Sequence, residues 1–453
     1  MSTTRTLGSA FLGVGLMLAV VAAPATANAA SGAASSQPSI PQVSSALAGG
    51  DWLASQVTPQ GYVPASGSPD TPDLSATANT ILALASAGVD PSVAQNALNY
   101  MEQNVDVYVS QDGSDGPGQL ALLILDAHAL GADPTSFGGT DLVSRLLATQ
   151  QTSGADAGLF GTEAQVDDYS AGVYQQGLAL AALAGTSETS GSQISAAEAW
   201  LHAQQCPDGG WTSYENPDNP CNGSPADYEG PDTNSTALAI EGLSAQGALG
   251  SRDATRAFKF LVGAQDSDGG WGYEPNAAGA PGTTDPDSTA IVIQAILDLG
   301  KSPTEAAFDK QGNNPVATLE SFQITSGSGQ GAFIYPGSSD PNILATYQAV
   351  PAVSGVVFPF DLAVTTSSLP DGTVGARYST DLAASGGNPP YSWSLVSGSG
   401  RLPPGLKLKK AGDISGKPTS TGAYTFTVEV TDTKTTALPH TDNIAWRVLS
   451  ITV

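Results

Sequence analysis

The strongest constraint on this chain is an internal repeat. A block of sixteen residues that opens on an acidic or polar turn and closes on Gly recurs six times. The clearest copies are DTNSTALAIEGLSAQG at 232–247 and DPDSTAIVIQAILDLG at 285–300, followed by DLSATANTILALASAG at 73–88 and DPNILATYQAVPAVSG at 340–355. Fainter copies span 116–131 and 170–185. Each block starts with residues that cap a helix N-terminus and stops at a residue that tolerates a left-handed backbone, so each predicts one helix.

A second pattern runs between the blocks: a helix that ends near a Gln, then a Gly-rich turn carrying an aromatic residue. Trp52 to Tyr62, Trp200 to Trp211, Phe260 to Trp271 and Phe322 to Phe333 are examples. Within 251–265, Ala254, Ala257, Phe258, Leu261 and Val262 follow the 3.6-residue period, with Arg252, Arg256 and Lys259 on the far side. This helix has one wet face. Ile291, Val292, Ile293, Ala295, Ile296, Leu297 and Leu299 instead make the first-type helix apolar nearly all round, as burial on both sides requires. Six inner and six outer helices predict an all-α (α/α)6 toroid over 41–355, whose closure removes the exposed ends of an open solenoid and leaves a central cavity.

The turns Gln205 to Trp211 and Gln265 to Trp271 both read Gln-x-x-Asp-Gly-Gly-Trp. They resemble the QW motifs of terpenoid cyclases, in a wider family of toroids that includes prenyltransferase β subunits and complement thioester domains. After Pro351 the helical period gives way to alternation, as in Tyr424, Phe426, Val428 and Val430. Residues 356–367 read as a linker and 368–453 as an all-β immunoglobulin-like sandwich. Pro390-Tyr391-Ser392-Trp393, Leu402-Pro403-Pro404-Gly405-Leu406 and Val430-Thr431-Asp432 in that stretch resemble the Ig domains, cadherin-like in fold, that end many bacterial exported proteins. That resemblance implies a spacer or adhesive unit.

Residues 1–29 carry Arg5 as their one charge, an apolar run from Leu7 to Ala23 and the small-x-small site Ala27-Asn28-Ala29. They read as a secretory signal peptide, followed by a flexible segment at 30–40. The apolar run is shorter than the roughly 20 residues that span a bilayer, so the mature chain is expected to be secreted or cell-surface associated, with no membrane span. In an oxidising compartment the two cysteines, Cys206 and Cys221, are expected to form a disulfide, worth about 3 kcal/mol for a loop of this size. With 15 basic against 42 acidic residues and a formal charge of −27, the chain repels phosphate backbones and anionic headgroups, which excludes nucleic acid as a partner.

For chemistry, the cyclase resemblance points to Asp285-Pro286-Asp287-Ser288, which matches three parts of a DxDD motif, with Ser288 in place of the final Asp. Asp287 would be the general acid, its carboxyl kept protonated by burial, with Asp285 beside it. The same turn in the preceding repeat, Asp232-Thr233-Asn234-Ser235-Thr236-Ala237, shows that D-x-x-x-T-A is a feature of the repeat, and the favoured reading of the turn at 285 is an Asp N-cap. The sequence lacks a DDxxD diphosphate motif, a second helical domain and a Gly-Cys-Gly-Glu-Gln thioester. The leading expectation is therefore a non-catalytic binding or adhesion protein that uses the toroid as a platform for a small molecule, a glycan or a surface protein. Asp73, Asp168, Asp232, Trp211, Tyr214 and Tyr228 at the cavity mouth are the expected ligand-binding residues. The alternatives are a class II terpene cyclase-like enzyme and an extracellular glycan-active enzyme with paired carboxylates. Calcium is the ion these loops could take, at Asp266 and Asp268 in a Gly-rich turn or at Asp432 in the tail.

Overall fold

The computed structural model describes residues 42–453, apart from 112, 163, 166–169, 188–190, 214–220, 222–229, 276–283, 361, 367, 387–388, 397–398 and 433–443. The six repeat blocks each form a helix: α2 (Leu74–Ala87), α5 (Pro117–Leu130), α7 (Val173–Ala184), α9 (Thr233–Ala245), α11 (Pro286–Asp298) and α13 (Ile343–Ser354). The second pattern gives α1 (Val43–Gln56), α3 (Pro91–Gln103), α4 (Val105–Val109), α6 (Leu142–Ala148), α8 (Ser192–Ala203), α10 (Ser251–Ala264) and α12 (Pro315–Ser321).

The caps explain why the block-type helices start where they do. Side-chain oxygens of Asp73, Asp232, Asp285 and Asn342 each accept the backbone N–H three residues on, satisfying one of the orphan donors of the first turn. These helices are buried almost all round: Ile291, Val292, Ile293, Ala295 and Ile296 of α11 are all in the core. In α10, by contrast, only Ala257, Leu261 and Ala264 are buried, as its single apolar stripe predicts. In space α2 packs on α5, α5 on α7, α7 on α9, α9 on α11 and α11 on α13, and α13 packs back on α2. Where α7 meets α9 the backbones nearly touch. A Cβ on Gly177 would collide with the Leu238 carbonyl, and one on Gly242 with Gly177.

Two hydrogen-bond devices repeat around the helices. At the end of an outer helix a Gln side chain donates from Nε2 both to a Gly carbonyl in its own turn and to a carbonyl in the next repeat. Gln150 reaches Gly158 and Gln193 (3.1 and 2.8 Å), Gln205 reaches Gly209 and Asp253 (2.9 and 3.1 Å), and Gln265 reaches Gly269 and Phe308 (2.7 and 2.9 Å). Gln323 reaches Gly331 (2.9 Å) and then Ser45 of the first helix (2.8 Å), 278 residues away. In the second device the turn residue donates its backbone N–H to a side chain in the next inner helix. Trp211 donates to Thr236, Trp271 to Thr289, Phe333 to Thr346 and Val63 to Thr77, while Phe160 uses Gln176. The Thr of the D-x-x-x-T-A block thus orders the turn before it. Trp211 and Trp271 are fully buried and also donate their indole N–H to Leu201 and Leu261.

The tail is built of short antiparallel strands: β1 (Tyr378–Asp381), β2 (Ser392–Leu395), β3 (Leu406–Leu408), β4 (Asp413–Gly416), β5 (Ala423–Thr431) and β6 (Ile444–Thr452) among them. In one sheet β6 pairs with β5, which pairs with β2. In another, β4 pairs with β1 on one side and β3 on the other. Trp393, Ile414, Phe426, Val428, Val430 and Ile451 share the core of this domain. The domain is docked on the helices and not simply tethered to them. Trp446 of β6 is buried among Ala290, Ile293, Ala349 and Val353, and its indole N–H donates to Ala87 (2.8 Å); the Val448 N–H donates to Gly88 (2.8 Å). The connecting segment also lies on the helices: Gln294 donates to the Val356 carbonyl (3.0 Å), and His128 Nε2 is 3.0 Å from the Phe360 carbonyl oxygen.

Candidate functional site

All six repeat-block helices contribute to one cavity of about 130 Å³. Helix α2 gives Ser75, Asn79 and Leu82, α5 gives Gly118 and Leu122, and α7 gives Tyr174 and Leu178; α9 gives Leu238 and Glu241, α11 gives Ile291 and Gln294, and α13 gives Tyr347, Gln348 and Pro351. The spacings of three, four and seven are those of one helix face. Phe358, from the segment leading to the Ig-like domain, also lines it, as does Tyr108.

In α2, α5 and α7 the lining begins two residues after the N-cap, at Ser75, Gly118 and Tyr174. The same position in α11 is Asp287, which shares a face with Ile291 and Gln294 and stands about one 5.4 Å turn N-terminal to Ile291. The Tyr335 hydroxyl donates to Asp287 Oδ2, while Oδ1 is buried without a hydrogen-bond partner. Burial, reinforced by the nearby Asp285 charge, holds the Asp287 carboxyl well above the usual carboxylate range. Asp285 differs. Its Oδ1 accepts the Ser288 N–H (2.7 Å) and its Oδ2 the Ser288 hydroxyl (3.0 Å), and burial raises it to about 6. Asp285 is therefore the helix cap, while Asp287 takes no part in capping and meets Tyr335 instead.

Asp73 and Asp232 are also N-caps, with Oδ1 accepting from Ala76 (2.9 Å) and Ser235 (2.6 Å); burial raises Asp232 to about 7. Trp211, expected on a rim, has no exposed ring surface to offer a ligand, because its indole is spent on joining an outer helix to its turn. Asp168, Tyr214 and Tyr228 lie outside the described residues. Cys206 and Cys221 form the expected disulfide. In the turn considered for calcium, Thr284 Oγ1 sits 3.0 Å from Asp266 Oδ2 and 2.7 Å from Asp268 Oδ1, so these carboxylates brace the turn. Asp432 is buried at the end of β5. Among the described residues no group of three His, Cys, Asp or Glu side chains is placed to hold a metal ion.

Sequence reading passed over two groups here, Tyr335 and Glu241. Glu241 is 1 % exposed, lines the cavity, has no hydrogen-bond partner at Oε2, and is raised by burial to about 8. The signal for it was present: a lone carboxylate in the middle of the apolar stretch TALAIEGLSA.

Residues 130–284 match the family model of the squalene-hopene cyclase C-terminal domain, and residues 361–448 match the He_PIG Ig domain model. The cyclase match ends one residue before Asp285, so it covers part of the repeat array and stops short of Asp285 and Asp287. Among solved structures, the type II terpene cyclase MstE from Scytonema is 16 % identical with a TM-score of 0.45, the alignment covering 69 % of this chain and 98 % of that one. A protein from Actinoplanes is 14 % identical (TM-score 0.45, 69 % of this chain and 99 % of that one). Protein geranylgeranyltransferase-I from Candida albicans is 12 % identical (TM-score 0.41, 60 % of this chain and 82 % of that one). No curated protein matches the chain.

Proposed function

We propose that the helical region closes into an (α/α)6 toroid and acts as a terpene cyclase-like enzyme, with Asp287 as the acid that protonates an alkene of a polyprenoid held in the cavity. The observation that carries this reading is the setting of Asp287: a carboxyl whose burial favours its protonated form, with Oδ1 unpartnered and Oδ2 accepting from Tyr335, on the face that lines the cavity one turn deeper. In the step, the Asp287 O–H bond breaks as a C–H bond forms at one alkene carbon, leaving a carboxylate and a carbocation. The Tyr335 hydroxyl stabilises that carboxylate by a hydrogen bond to a now-charged acceptor. The match to the squalene-hopene cyclase model supports the fold on which this chemistry would be built.

The second reading is a non-catalytic binding protein. It draws on the hydrogen-bonding side chains that interrupt the apolar lining, Asn79, Gln294 and Gln348 among them. One experiment separates the two. The purified chain is incubated in deuterated water with squalene and geranylgeranyl-bearing substrates, and products are analysed by mass spectrometry. The cyclase reading expects cyclised product carrying one deuterium, with turnover reduced about 10²-fold or more in Asp287→Asn. Saturable binding without product sinks it and leaves the binding reading. Export is proposed alongside, and a mature N-terminus at Ala30 would establish it. Calcium binding is a further proposal, for native mass spectrometry before and after a chelator.

A further inference from the structure

The chemistry of the cavity wall is one-sided. Its described lining contains no Lys, Arg or His. Two of its buried oxygens, Glu241 Oε2 and Gln348 Oε1, have no hydrogen-bond partner, and both are acceptors. Three tyrosines, Tyr108, Tyr174 and Tyr347, share the same wall. Aromatic faces carry negative charge density, and a desolvated cation over such a face is held more strongly than at an exposed site. The chain around them carries −27, so its field draws cations toward any opening.

We propose that the cavity is a recognition site for an organic ammonium group, held by the Glu241 carboxylate, accepted by Gln348 Oε1 and flanked by the tyrosine rings. Burial keeps the Glu241 carboxyl protonated up to about pH 8, and a monovalent cation of matching size is the partner that lets it ionise. An anionic ligand would meet Glu241 with nothing to offset its charge. The proposal rests on the cavity being a ligand site and is independent of any chemistry at Asp287.

The test uses the full chain, calorimetric titration and a matched pair of probes: phenyltrimethylammonium and its uncharged isostere tert-butylbenzene. The pH is held at about 9, above the value near 8 to which burial raises Glu241, in about 0.5 M salt to screen the general attraction of the acidic surface. The ammonium is expected to bind with one-to-one stoichiometry and about tenfold or more tighter than the isostere. Glu241→Gln is expected to erase that preference while leaving the tert-butylbenzene affinity unchanged, which also reports that the variant is folded. Equal or tighter binding of tert-butylbenzene, or ammonium binding untouched by Glu241→Gln, overturns the proposal and leaves the cavity as a site for neutral ligands. If neither probe binds, the ammonium proposal falls together with the cavity reading beneath it.

Discussion

Gln323→Leu isolates the contact that joins the end of the repeat array to its beginning. Gln323 donates to the Ser45 carbonyl (2.8 Å) and the Gly331 carbonyl (2.9 Å), and it accepts from the Ser45 hydroxyl (2.6 Å). Each such bond contributes about 1 kcal/mol net, so losing three costs about 3 kcal/mol; the site is only part-buried and water recovers some of this, leaving about 2. Gln265→Leu is the internal control. It removes two bonds of the same kind, to Gly269 and Phe308, at a site that is more fully buried, and should cost a similar amount. Urea unfolding followed by helical circular dichroism reads both. With a slope of about 3 kcal/mol per molar, each variant should lower the midpoint by about 0.7 M. Hydrogen exchange supplies the location: Gln323→Leu should raise exchange in both 43–56 and 343–354, the first and last helices of the array. If Gln265→Leu destabilises as expected while Gln323→Leu changes the midpoint by less than about 0.2 M and leaves 43–56 protected, this contact does not hold the array closed, and closure rests on the packing of α13 against α1 and α2.

Further outcomes follow from the same packing. Asp232, Asp285 and Glu241 all titrate higher in the fold than in the unfolded chain, at about 7, 6 and 8 against 3.8, 3.8 and 4.5. Their protonated forms favour the fold, so their contribution is complete below about pH 4 and is lost as pH rises to about 8. A tenfold difference in proton affinity between fold and unfolded chain is worth about 1.4 kcal/mol, and a helical-region melting temperature no higher at pH 5 than at pH 8 would contradict this. Trp446→Ala should remove about 3–5 kcal/mol of packing where the Ig-like domain sits on the helices. The readout is faster exchange at Val448, whose amide is bonded across to Gly88, and faster proteolysis at 356–361; unchanged rates at both would show that docking does not depend on this side chain. Replacing Cys206 and Cys221 together with Ser should lower stability by about 3 kcal/mol for a separation of 15 residues, and a loss below about 1 would mean that the unfolded loop is already restricted.

The sequence by itself determined the helices, the two materials of the chain and the disulfide. Helix starts and stops are local: Asp232 caps its own third amide, Gly355 turns left-handed one residue past its helix, and neither needs a distant partner. The tail was legible for the same reason, since alternation at Phe426, Val428 and Val430 requires only a pleated strand with one buried face. Tertiary structure decided everything that depends on which way a buried helix is rotated. An inner helix that is apolar all round carries no periodic mark of its cavity side, so the surroundings of Asp285 and Asp287 were decided by packing, which gave one the cap and the other a tyrosine from 48 residues away. Glu241 was visible as a lone charge, but only six helices meeting around one space made it a cavity group. Trp211 stood out as an aromatic of a turn, and whether its ring faced solvent or core rested on Leu201 and Thr236 arriving from neighbouring elements. Local backbone chemistry writes the elements into the sequence, while burial, pKa and accessibility belong to the neighbours that folding brings.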